Sequence, residues 1–154
     1  MDQAVFKQME WIRNQLTVKL AEETNPEILD RIPSGFNNSI RWNLGHILHA
    51  QEQMVFGLAG EQVTLPESYE GLFGNGTKPG DWTTEPPSLE TLIDALKEQP
   101  ARIQQAFSDR LETPLVKPFL SYETIGEIIS FSLFHEGVHI GVIKGLQNAL
   151  KGER

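Results

Sequence analysis

Apolar residues recur at helical spacing in four stretches of the chain, and connections rich in proline and glycine separate those stretches. In the first, Val5, Met9, Ile12, Leu16 and Leu20 fall three and four residues apart, which predicts an amphipathic helix over about residues 2–23. Pro26, Pro33 and Gly35 then leave room for one short turn. Asn38 or Ser39 is placed to cap a second helix running to about Gly60, with Ile40, Leu44, Ile47, Met54 or Val55, and Leu58 on its buried face. Residues 61–87 hold too many prolines and glycines for a regular element. A connection of that length in a compact domain is usually a lid or a pocket wall. Tyr69, Leu72, Phe73 and Trp82 predict that this one packs down, either closing over a pocket or only filling the end of the molecule.

Ser88 caps a third helix whose stripe is Leu89, Leu92, Leu96, Ile103, Phe107 and Leu111; Pro100 falls inside it and predicts a kink or local break. Thr124 and Glu127 form a capping box opening a fourth helix over about 125–150. No segment alternates strictly enough to predict a strand. Four amphipathic helices with one long connection between the second and third predict a single all-α domain, 1–154, folded as a four-helix bundle.

Composition narrows the function classes. Thirteen Lys and Arg against 21 Asp and Glu give a net charge of −8, with no basic patch, so nucleic acid and anionic membrane surfaces are disfavoured partners. No apolar run approaches the roughly 20 residues of a membrane span. The mixed N-terminus MDQAVFKQMEWIRNQL fits no targeting segment, and a cytoplasmic location is expected. The chain has no cysteine, so any metal must be held by His, Asp or Glu, and any sulfur chemistry needs an external thiol.

The candidate chemistry lies in HEGVH, residues 135–139. At 100° per residue His139 sits about 40° from His135, on an arc shared with Ile128, Ser132, Val142 and Leu146, so both rings are expected to face the interior. Two such histidines are either ordinary core residues bonded to neighbours or water, or neutral ligands converging on one cation. A third ligand is available at His46. The residues within about 60° of it include Trp42, Asn43, His49, Ala50 and Gln53, a small and partly polar stripe suited to the wall of a wet cavity. His49, at the edge of that stripe, reads as a surface or supporting histidine. Three histidines with an open position are the ligand set of a catalytic metal, with Zn, Ni, Fe or Mn as candidates.

HEGVH also matches the H-E-x-x-H of zinc peptidases. The extended form of that motif would place glycine at 142 and histidine at 145, where this chain has Val142 and Gly145, and no sheet edge is expected to hold a peptide. Glu136 stands as a general base near the metal, a partner of a ligand histidine, or simply a solvated side chain, the last being the plainest reading. Gly137, Gly141 and Gly145 recur on the opposite side of the last helix. Interior glycines cost about 1 kcal/mol each against alanine, so a close approach of another backbone is expected, from a neighbouring helix or from a dimer partner.

WNLGHILHAQ together with HEGVHIGVIKGL resembles the DinB-like superfamily of small bacterial four-helix proteins, which includes YfiT-type metal-dependent hydrolases and the bacillithiol and mycothiol S-transferases. The resemblance spans the chain. It implies an up-down-down-up bundle, a metal triad of His46, His135 and His139 without His49, and a homodimer. Together these readings predict a divalent-metal protein acting on a small molecule, in which the metal lowers the pKa of water or of a low-molecular-weight thiol such as bacillithiol. Hydrolase or thiol S-transferase activity follows. Trp42, Asn43 and Gln53 are the expected substrate contacts. The alternative is a non-catalytic, stress-associated dimer in which the metal braces two helices.

Overall fold

A computed structural model describes residues 3–152; the start predicted for the first helix, at residue 2, lies outside them. The described chain is mostly helical, as the periodicity predicts. Helix α1 (Ala4–Ile12) passes through a π-helical stretch (Arg13–Val18) into α2 (Lys19–Glu23). After a 3₁₀ turn at Pro26–Ile28, Ser39 caps α3 (Ile40–Glu52) by accepting from the Trp42 amide at 3.1 Å, and a second π-helical stretch (Gln53–Gly57) follows. Ser88 caps α5 (Leu89–Phe107) in the same way, accepting from the Thr91 amide. At α6 (Ile125–Lys151) both halves of the capping box form between Thr124 and Glu127.

Three expectations are corrected. The 61–87 connection contains a short helix, α4 (Ser68–Phe73), which buries Tyr69, Leu72 and Phe73. The stretch after α5 is not strand-free: β1 (Pro114–Phe119) and β2 (Tyr122–Thr124) pair antiparallel, with Phe119 opposite Tyr122 and Leu120 at φ 54° in the turn. Pro114 and Pro118 hide the alternation, and a two-stranded ribbon tolerates them because one side of each strand has no ladder to feed. Finally, of the kink or local break expected at Pro100, the break is absent: α5 is one helix through it. A helical proline leaves the carbonyl four residues earlier without its amide donor. Here the Leu96 carbonyl accepts from Arg13 Nη1 at 2.9 Å instead.

The core is two apolar clusters with buried polar residues between them along every long helical stretch. One cluster holds Phe6, Met9, Val55, Ile103, Phe107, Ile125 and Ile128; the other holds Val18, Ala21, Ile40, Leu44, Leu92, Leu96, Ile143 and Leu146. The sequence of α1 and α2 passes from the first cluster to the second through Arg13 and Thr17. In α3 and α5 it passes from the second to the first through Gln51 and Glu52, and through Gln99. In α6 it passes back through Ser132 and Glu136. This polar belt lies at the level from which the histidines project.

Candidate metal centre

Arg13 is fully buried at the middle of the belt. Its guanidinium donates to both oxygens of Glu136, at 2.8 and 3.1 Å, to Gln99 Oε1 at 3.1 Å, to the Leu96 carbonyl, and to Gln51. Thr17 adds a bond to Glu136 at 2.5 Å, and Gln51 reaches Ser132 at 3.0 Å. Glu136 is therefore 1% exposed with both oxygens occupied, and the solvated reading is overturned. An ion pair so far from water is held only because its remaining donors and acceptors are also matched. The belt fixes α6 against the Arg13–Val18 stretch, α3 and α5 one residue away from His135.

The structure brings His46, His135 and His139 together. Each ring offers one nitrogen, and these three atoms lie within 4.8 Å of one another. His46 Nδ1 is 2.7 Å from the Phe73 carbonyl, which only accepts, so Nδ1 carries the proton and Nε2 is left bare. Asn43 spends its amide nitrogen on Asn38 Oδ1 and the Ser39 carbonyl, both at 2.8 Å. Its Oδ1 therefore accepts from His139 Nδ1 at 2.8 Å. Holding the far nitrogen on a carbonyl is how metal-ligating histidines are usually oriented.

Glycine makes the first of these contacts possible: a Cβ at Gly45 would collide with the Phe73 ring, so α4 seats beside α3 only over a bare backbone. Trp42 lies flat on His46, centroids 4.6 Å apart and planes 9° from parallel. Its indole nitrogen is tied to Thr77 at 2.9 Å.

With Nδ1 of His46 protonated, the 3.2 Å between His46 Nε2 and His135 Nε2 faces a lone pair toward a second imidazole. A proton or a cation relieves that opposition. Burial, partly offset by the Phe73 bond, lowers the pKa of His46. Burial and then the neighbouring His46 push His135 down to about 4, and burial, His46 and His135 push His139 down to about 3. All three are neutral near pH 7, the form that ligates metal. A tetrahedral zinc with Zn–N bonds of about 2.0–2.1 Å separates its nitrogens by roughly 3.3 Å, close to the His46–His135 spacing. The donor set fits a metal ion.

A model of the DinB superfamily matches residues 8–143. The chain belongs to the DinB superfamily. That stretch includes α3 and α6 up to Ile143, and so all three histidines of this DinB member. No curated protein matches the chain.

The other candidate residues divide. Asn43 holds the His139 ring and Trp42 stacks on that of His46. Gln53 lines a pocket of about 460 Å³ that opens beside the triad, whose walls also include His46, His135, Phe119 and Phe131. His49, expected as a surface or supporting histidine, is not at the surface: it is 5% exposed, its Nε2 meets Glu70 Oε2 at 2.6 Å, and both residues line the same pocket. Tyr69 and Trp82 do not line it: each packs edge-on to Phe73, and Trp82 donates to the Leu72 carbonyl. The connection contributes Glu70 and Asn75 instead. Phe73 was expected only to pack down; its bond to His46 escaped the sequence reading because it is made by a backbone carbonyl. Arg13 escaped it because a charged residue on a helix reads as solvent-facing.

Proposed function

We propose that this DinB member is a divalent-metal enzyme acting on a small molecule, with His46, His135 and His139 as ligands and zinc or nickel, or else iron or manganese, as the ion. The observation that carries the reading is the convergence of three neutral imidazoles on one point, two of them also lining an open pocket. When bound, such an ion supplies Lewis-acid charge that lowers the pKa of a water or thiol beside it. The chain's own residues hold the rings: Phe73 and Asn43 keep the proton on Nδ1 of His46 and His139, and Trp42 keeps His46 from rotating. Gln53 is one of the polar groups offered to the substrate. Glu136 is not needed as a base, since Arg13 and Thr17 occupy its oxygens.

Without cysteine, sulfur transfer would use an external thiol such as bacillithiol; with water as nucleophile the same site would hydrolyse. The pocket favours catalysis over a bracing metal, because a metal that only ties helices together has no use for an opening. The test is to assay metal-loaded protein for conjugation of a low-molecular-weight thiol to an electrophilic probe, and for ester hydrolysis without thiol. One of the two should be metal-dependent and fall roughly 100-fold or more in His135→Ala. Absence of both leaves the bracing reading.

The order of the two apolar clusters along α1, α3, α5 and α6 supports an up-down-down-up four-helix bundle. A homodimer through the outer face of α6 is the companion proposal. Phe134 and Val138 are 66% and 48% exposed there, and a Cβ added at Gly137 or Gly141 would touch nothing, so no element among the described residues explains those glycines. Gly145 is different, lying against Phe36.

A further inference from the structure

The pocket beside the triad is lopsided in its polar groups. Glu70 is exposed at its rim, with one carboxylate oxygen bonded to His49 and the other free to accept. Because a carboxylate accepts, His49 Nε2 donates to it, and in the neutral ring Nδ1 is an acceptor. That atom is buried without a partner, the one such side-chain atom found among the described residues. No lysine or arginine lines this pocket; Lys117 belongs to the adjoining groove with Gly57 and Leu58. The remaining wall is Ala50, Met54, Phe119 and Phe131, with the two phenylalanine rings 5.7 Å apart, and the uncharged amides of Gln53 and Asn75, which both donate and accept.

A carboxylate with no lysine or arginine beside it, next to an aromatic wall, calls for a ligand that brings a positive charge and a flat body. We propose that the pocket selects small cations with a flat apolar body: an ammonium or amidinium head on Glu70, and the body against Met54, Phe119 and Phe131. Two effects agree in sign. A charge-assisted bond to a carboxylate is stronger than a neutral one. The field of a chain of net charge −8 draws in the same ligands and repels anions. The head goes to the rim, where Glu70 stands, and the body leads inward toward His46 and His135. The inference deepens the enzymatic reading, which supplies the reacting group, but recognition rests on Glu70 and the aromatic wall alone.

The test is therefore made on chelator-treated full-length protein, so that it succeeds or fails independently of metal binding. Benzamidinium, benzyl alcohol and benzoate present one ring with a positive, a neutral and a negative head. NMR titration should give benzamidinium an affinity roughly fivefold or more above benzoate, with benzyl alcohol between. Glu70→Gln keeps an acceptor for His49 while removing the charge. It should erase the preference for benzamidinium and leave benzyl alcohol unchanged. Phe119→Ala should weaken all three. Equal or tighter binding of benzoate, an unchanged preference in Glu70→Gln, or no binding of any probe to the wild type overturns the proposal. The first of these would move recognition to Lys117. Because the probes are ranked on metal-free protein, neither outcome bears on the metal reading, which stands or falls on the metal content of the purified protein.

Discussion

Asn43 divides one amide among three tasks: its nitrogen holds Asn38 and Ser39, and its oxygen holds the proton of His139 in place. Removing it frees the ring that HEGVH contributes from α6. Asn43→Ala should weaken metal affinity about 10- to 100-fold while the helical circular dichroism is unchanged, and an affinity equal to wild type would show that the contact is incidental. The histidines also give a pH signature in the metal-free protein. Each titrates below its ordinary 6.5 in the fold, to about 4 for His135 and about 3 for His139. Between those values and 6.5 the unfolded chain binds more protons than the native one, so stability is fully present above pH 6.5 and is lost as the pH falls toward 4 and 3. Thermal melts of chelator-treated protein should follow that slope, and His139→Gln should flatten it. Parallel profiles for the two proteins would contradict the assignment. At this scale the shared face of His135 and His139 was legible from spacing, because i, i+4 on one helix is a geometric statement, and His46 from the polar stripe around it. Their partners were not, since a carbonyl such as that of Phe73 has no side-chain signature.

Helix by helix, the period of 3.6 and the caps carried the reading well: Ser39, Ser88 and Thr124 all cap where their side chains predict. The α1 to α2 stretch departed from its stripe. Its buried face is Phe6, Met9, Arg13, Thr17 and Ala21 rather than Val5, Met9, Ile12, Leu16 and Leu20, of which only Met9 is fully buried. The π-helical stretch from Arg13 to Val18 changes the local pitch, and π turns recur at functional sites. A second one follows Glu52 in the next long helix, directly after that helix contributes Gln51 and Glu52 to the belt. Glu52 is itself fully buried. Burial alone would raise its pKa, but bonds from Arg102 and Gln99 hold it below the ordinary range. The belt thus joins four helical stretches through matched charges. Arg13→Met strands Glu136 without its cation and should destabilise by about 3–5 kcal/mol in urea titration. Arg13→Met with Glu136→Gln should recover part of that loss. A single variant as stable as wild type would mean the pair contributes no net stability.

For the molecule as a whole, the sequence pattern reached the helical fold, the long connection and the triad, but not the hairpin or α4. Both lie where prolines and glycines interrupt every period, and both become ordered through contacts distant in sequence, Phe119 against Phe131 and Phe73 against the bare backbone of Gly45. No helix among the described residues is long and apolar enough to cross a membrane. If the outer face of α6 joins two copies, Phe134→Asp should shift sedimentation from dimer to monomer, and a wild-type monomer would remove that proposal without touching the metal site. The account as a whole depends on the triad. Its most direct test is the metal content of untagged protein purified without chelator, measured by mass spectrometry for wild type, His46→Ala and His135→Ala. About one divalent ion per chain in the wild type, and less than about a tenth of that in both variants, is the result predicted for a three-ligand site. A metal-free wild type, or full occupancy in either variant, would contradict it.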